Sequence, residues 1–190
     1  MRAVCICVTA ALILTSAHNL PVWAAERSAL SAASFLEEKA ATLAPYAFVR
    51  FCIQMPKECA PKQGAKEVGL SASVAVDIAS INRSVNHRIA PRNDRNGLDV
   101  WTLSPRYGDC DDYAVTKRRK LIEAGLPARS VRLAIGRTPN GQGHAVVVVR
   151  TRTADLVLDN RSDAIKRVNE VDLVWIKMES ADNPKWWYAL

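Results

Sequence analysis

Between Leu70 and Ile89 the apolar residues Val74, Ile78, Ile81 and Val85 recur at three- and four-residue intervals, which predicts an amphipathic helix. Ser71 or Ser73 stands where such a helix is capped. An earlier stretch, Ala29 to Leu43, puts Leu30, Phe35, Leu36 and Leu43 on one side of a helix that Pro45 ends. A third helix is predicted over Cys110 to Ala124, stopped by Gly125 and Pro127. Between the last two helices, Pro91 to Gly97 is a charged, turn-rich loop. Beyond Pro127 the period changes from helical to alternating. Val131 to Ile135, His144 to Val149 and Asp155 to Leu158 read as strands, with turn chemistry over Thr138 to Gly143. Leu173 to Met178 and Trp186 to Leu190 are candidate closing strands. Helices first and meandering strands after predict an α+β domain, its N-terminal helices packed on an antiparallel sheet.

The first residues change this picture. Arg2 is the sole charge before Glu26, Ala3 to Leu14 is a short apolar run, and Val22-Trp23-Ala24 ends in the small residues a signal peptidase reads. We therefore expect a signal peptide over residues 1–24, a single domain over 25–190, and a periplasmic or secreted protein. Export alters the meaning of the five cysteines. Cys5 and Cys7 leave with the signal. Cys52 and Cys59, with Pro56 between them, are spaced for a small disulfide loop in an oxidising compartment. Cys110 is then the odd cysteine, and a reactive thiol is the leading reason for one.

Charge adds less. The formal net charge is +7, and it is dispersed. Lys117-Arg118-Arg119-Lys120 is the one dense run, and on a helix it reads as a solvated face. No nucleic-acid partner is expected from it.

The candidate chemistry lies in Gly108-Asp109-Cys110-Asp111-Asp112-Tyr113, Gly143-His144-Ala145 and Leu158-Asp159-Asn160. Cys110 opens a helix, where free N–H groups and the positive helix end favour a thiolate. His144 opens a strand and is the natural general base, later acid. Asp159 closes the next strand and, in an antiparallel pair, can fix the tautomer of His144. His87, among Arg and Asn on the second helix, reads as a surface or capping residue. Asp109 and Asp111 flank a thiol that must ionise, which is unfavourable unless a cation neutralises them. Ca²⁺ with oxygen ligands suits that role; zinc lacks Cys/His pairs at ligand spacing.

These three motifs, with Phe51-Cys52…Pro56…Cys59 and Asn183-Pro184…Trp186, resemble the bacterial transglutaminase-like cysteine peptidase family over most of the chain. The resemblance implies a papain-like/transglutaminase-core fold and a triad of Cys110, His144 and Asp159 that cleaves a protein substrate through a thioester. The LapG-like periplasmic proteases of this family clip a cell-surface adhesin to release biofilm cells, depend on calcium, and answer to a membrane-bound regulator. Their acidic calcium residues match Asp109 and Asp111, although the second position is often Glu, one methylene longer. Two other readings use the same residues: a transglutaminase or amidase that passes the acyl group to an amine, and a secreted binding module without catalysis.

Overall fold

The alternating run after Pro127 builds the centre of the fold, and the helices pack on it. The computed structural model describes residues 34–94 and 98–190; the expected signal peptide and the first residues of the expected helix from Ala29 lie outside these. In chain order the elements are β1 (Ala41–Thr42), α1 (Tyr46–Gln54), α2 (Ala72–Arg88), β2 (Ala90–Pro91), β3 (Tyr107–Gly108), α3 (Cys110–Glu123), β4 (Val131–Arg137), β5 (Gly143–Arg150), β6 (Asp155–Leu158), β7 (Lys166–Arg167), β8 (Val174–Glu179) and β9 (Trp187–Ala189). Seven strands form one sheet in the order β1-β9-β8-β4-β5-β6-β7, every neighbouring pair antiparallel. This is the expected α+β architecture.

The strand period sorts the core into two layers. Val131, Leu133, Ala145, Val147 and Val149 join Phe48, Phe51, Ile78, Ala114 and Leu121 on the helical side. Ala134, Val146, Val148 and Val157 face a second cluster with Leu36, Val168 and Met178. Ser71 accepts the N–H of Val74 through its side chain and so caps α2 as expected. Gly125, at φ +96°, ends α3 in the left-handed conformation that glycine adopts without strain.

Three expectations are corrected. First, residues 34–43 are not helical. The N–H of Lys39 and the carbonyl of Ala40 pair with Ala189, and the Leu36 N–H donates to Asp155 Oδ2 at 2.8 Å. The sheet edge and a buried carboxylate take the backbone groups that a helix would need, and Leu43 is exposed. Second, a helix, α1, stands where a loop was expected. Pro45 occupies its N-cap position and no side chain caps it, so the usual start signal is missing. The Cys52–Cys59 disulfide is formed, Cα–Cα 5.5 Å, joining α1 to the turn after it. Third, Lys117 and Arg118 are buried rather than solvated. Arg118 reaches the Glu58 carbonyl at 2.9 Å and pairs with the buried Glu179 at 3.1 Å. Arg119 pairs with the Glu58 carboxylate, so the disulfide turn is hooked onto α3.

Candidate active site

The start of α3 is built by a tight polar turn. Asp109 sits at the N-cap in extended backbone, and its N–H donates to Asp112 Oδ2 at 3.2 Å. Asp112 Oδ1 accepts the N–H of Thr102 at 2.6 Å. Gly108 leaves the space for this: a Cβ there would lie 2.3 Å from Asp112 Oδ2.

Cys110 follows as the first residue of α3, a free and half-buried cysteine. Burial pushes its thiol up to about 12, and the charges of Asp111 and Asp109 add to that; N–H groups of Ala145 and Asp111 pull the other way. The helix end alone therefore does not ionise this thiol, contrary to the simplest expectation for a helix-start cysteine.

His144 and Asp159 meet through the sheet. β5 runs away from His144 and β6 runs back, with Val147 opposite Leu158, so β6 delivers the next residue, Asp159, to the His144 end. His144 Nε2 lies 2.8 Å from Asp159 Oδ1, and both residues are buried. Arg161, which the sequence reading overlooked, completes the support. Its backbone N–H donates to Oδ1 at 2.8 Å, and its Nε and Nη2 donate to Oδ2 at 3.0 and 2.8 Å. Burial would push the Asp159 carboxyl up, but hydrogen bonds from His144 and Arg161 outweigh it and hold the group well below the usual carboxylate range. The imidazole is thus tied by Nε2 to a carboxylate, leaving Nδ1 as the free ring nitrogen.

Cys110, Asp109, His144 and Arg161 line one groove of about 730 Å³. Its lining also includes Arg92, Asn93, Leu98, Thr138, Asn140 and Gln142. A half-buried thiol and a carboxylate-tied imidazole on a polar groove can perform nucleophilic acyl chemistry on an extended substrate. His87, as expected, is at the surface; it pairs with Asp163 at 2.8 Å and does not line the groove.

Asp109 and Asp111 lie together beside the thiol. One ligand atom from each of Asp109, Cys110 and Asp111 falls within 4.8 Å of the others, and among the described residues no other group of three or more His, Cys, Asp or Glu does so. Asp109 Oδ1 and Asp111 Oδ1 are buried without a hydrogen-bond partner. Burial, and then the neighbouring Asp109, push the Asp111 carboxyl far up. Asp99 is raised as well, by burial first and by the charges of Asp109 and Asp94. Crowded carboxyl oxygens with unused lone pairs are hard donors, and a cation among them would favour the ionised form that burial and like charge disfavour. They fit an oxygen-seeking cation such as Ca²⁺ rather than a thiophilic one.

The model of the bacterial transglutaminase-like cysteine proteinase family matches residues 38–190. No curated protein matches the chain. Among solved structures, calcium-bound Legionella pneumophila LapG is similar at 22% identity and TM-score 0.52, over 57% of this chain and 66% of that one. A second LapG structure from the same organism is 24% identical at TM-score 0.52, over 61% of this chain and 69% of that one. The EGTA-treated form is 24% identical at TM-score 0.52, over 61% and 67%. This chain thus spans about two thirds of the length of those structures, and the likeness is one of fold.

Proposed function

Since the chain belongs to the bacterial transglutaminase-like cysteine proteinases, we propose that it hydrolyses a protein substrate with Cys110 as nucleophile, His144 as general base and acid, and Asp159 as the group that orients His144. One observation carries this reading: His144 is bonded to Asp159 at 2.8 Å in the same groove that holds the free thiol. With its Nε2–H donating a hydrogen bond to Asp159, the imidazole has Nδ1 free as a base. Nδ1 takes the thiol proton as Sγ attacks the carbonyl carbon of the scissile peptide. The backbone N–H of Cys110, at the open end of α3, is a donor for the oxyanion that forms. Collapse breaks the C–N bond, the leaving amine takes the proton from Nδ1, and a thioester remains. Water then attacks the thioester, giving one proton to Nδ1; that proton returns to Sγ as the acid leaves. Asp159 stays ionised throughout, because His144 and Arg161 hold it so.

The metal is part of the same reading. Asp109 and Asp111 would hold Ca²⁺, their unpartnered Oδ1 atoms supplying ligands. When bound, it supplies positive charge beside the thiol and so favours thiolate over thiol. Calcium-bound and EGTA-treated forms of L. pneumophila LapG favour this assignment. The substrate would be an exported protein met in the periplasm or outside the cell. A cell-surface adhesin released under control of a membrane-bound regulator follows from the resemblance of motifs.

The test compares exported proteins of a producing strain with those of a Cys110→Ala strain, and repeats the cleavage with purified enzyme and the substrate so found. A fragment that depends on Cys110 and vanishes with His144→Ala is the expected result. Cleavage that survives Cys110→Ala overturns the reading.

A further inference from the structure

The face that α1 turns to solvent has no part in the steps above. Its inner residues Ala47, Phe48, Phe51 and Cys52 are buried, as the helical period requires. The outer stripe of a surface helix is ordinarily polar, and this one is not. It carries Tyr46, Val49, Arg50 and Ile53, and Leu43 precedes it. Leu43, Tyr46 and Ile53 are 83%, 79% and 75% exposed, and Val49 is 43% exposed. The outer face of α2 shows the ordinary pattern, with Asp77, Ser80, Arg83, Ser84 and His87 exposed along it. Beside the α1 stripe opens a hollow of about 430 Å³, lined by Phe48, Val49, Ile53, Pro56 and Lys185. Large apolar side chains exposed together over an apolar hollow mark an interaction surface.

The charges around this face narrow the choice of partner. From Leu43 to Lys57 there is no carboxylate. The next one, Glu58, is taken by Arg119. Arg50 lies within the stripe, Lys57 in the turn after it and Lys185 on the hollow, all three exposed. Among the described residues none of the three makes an ion pair. A second copy on a two-fold axis would set these cations against themselves, so the face is ill suited to pairing with its own kind. An apolar centre with free cations and an aromatic hydroxyl suits the boundary of an anionic bilayer. There apolar groups enter the headgroup region, and Lys and Arg meet phosphate. α1, with nine residues, is about 14 Å long, and no helix among the described residues is long and apolar enough to cross a membrane. Such a face lies on a bilayer without spanning it.

We propose that the outer face of α1 is a peripheral membrane-binding surface: Leu43, Tyr46, Val49 and Ile53 enter the headgroup region of an anionic bilayer while Arg50, Lys57 and Lys185 meet its phosphates. The roles given above to Cys110, His144 and Asp159 have no part in this.

The test sediments the chain as expected after export, without residues 1–24, with two kinds of vesicle: about 30% phosphatidylglycerol in phosphatidylcholine, and phosphatidylcholine alone. Wild type should sediment with the anionic vesicles, bind the neutral ones at least about tenfold more weakly, and be released by about 0.5 M salt. Tyr46→Ser combined with Ile53→Ser should lower the partition about tenfold or more. Arg50→Glu should lower it about tenfold on anionic vesicles. These positions are exposed, and far-UV circular dichroism checks that the variants are folded. Val76→Ser, at a residue 65% exposed on α2, should bind as wild type does. No sedimentation with anionic vesicles, equal binding to neutral ones, or binding unchanged in either variant of α1 overturns the proposal. So does a lipid-free dimer, seen by analytical ultracentrifugation, that Ile53→Ser dissolves; the face would then belong to a second copy. Cleavage that survives Cys110→Ala would defeat the catalytic reading and leave vesicle binding readable.

Discussion

Asp159→Asn removes one charge and almost no volume, so its consequences can be worked from individual bonds. Oδ1 accepts from His144 Nε2 and from the Arg161 backbone, each at 2.8 Å, and Oδ2 accepts from the Arg161 Nε and Nη2 at 3.0 and 2.8 Å. The amide fits in two orientations. With its oxygen at Oδ1 it keeps the imidazole and sets its NH₂ against two guanidinium donors. Flipped, it sets NH₂ against Nε2, which must then accept; the ring proton moves to Nδ1 and the base is lost. The first orientation prevails, because Arg161 can turn to Asp172, which its Nη2 already reaches at 2.7 Å. A hydrogen bond to a charged group is worth about 1.5–3 kcal/mol. Losing the charge beside a forming imidazolium should then slow the reaction about ten- to a hundredfold, and unfolding stability should fall by about 2 kcal/mol. His144→Ala removes both acceptor and donor and should lose about 10³-fold or more. The assays are the carbamidomethylation rate of Cys110 at pH 7, cleavage of the identified substrate, and urea unfolding. An Asp159→Asn enzyme as fast as wild type, or as slow as His144→Ala, refutes this reasoning. Acid adds a check. Against the push of burial, His144 and Arg161 depress the native Asp159 pKa, so its contribution is complete above about pH 4 and fades as pH falls through the native value. The stability gap between wild type and Asp159→Asn should therefore narrow in acid.

Gly108→Ala drives a Cβ to 2.3 Å from Asp112 Oδ2 and 2.7 Å from its Cβ; urea unfolding should register a loss of about 1–3 kcal/mol, and an unchanged midpoint would contradict the packing described. Ca²⁺ should bind by calorimetry, raise the Tm and speed alkylation of Cys110, with EGTA reversing the last two and Asp111→Ala weakening all three; no heat and no rate change would remove the metal from the reading. His87→Ala, at an exposed pair with Asp163, should leave cleavage within about twofold of wild type; a loss matching His144→Ala would mean the base has been misassigned. In unreduced protein lacking residues 1–24, Cys110 should be the one alkylated cysteine, since Cys52 and Cys59 are joined; peptide mapping that finds label on Cys52 or Cys59 would contradict this.

The parts of the fold legible in the sequence are those whose signals are local. Val146 to Val149 could hardly read as anything but a buried strand, and α3 carries an acidic start and a glycine stop. The candidate site could be placed for the same reason: Cys110, His144 and Asp159 each lie at the end of an element, where spacing predicts position. What escaped depends on distant partners. α1 has no capping side chain and gains its stability by burying Phe48 against Trp101 and Trp187, with Phe51 buried beside Phe48. Residues 34–43 carry helix-like apolar spacing, yet their backbone is claimed by Ala189 and Asp155, far along the chain. Arg161 looks like any loop arginine until Asp159 and Asp172 close on it. Lys117 and Arg118 could not be told from solvated charges because the elements that bury them, with Glu58 and Glu179 on Arg118, lie remote in sequence.

The hairpin of β5 and β6 has a consequence in time as well as in space. His144 and Asp159 are fifteen residues apart, within one antiparallel pair. A hairpin closes in about microseconds, long before a domain of this topology is complete. Cys110 comes from the opposite layer and meets that pair only when α3 docks across the sheet. A chain still folding can therefore pair His144 with Asp159 before the groove that holds the thiol exists. The proposed proton transfer from the thiol to His144 is thus open only to the fully folded chain, where burial also pushes the thiol up. The native groove, not the free cysteine, decides when the nucleophile is engaged.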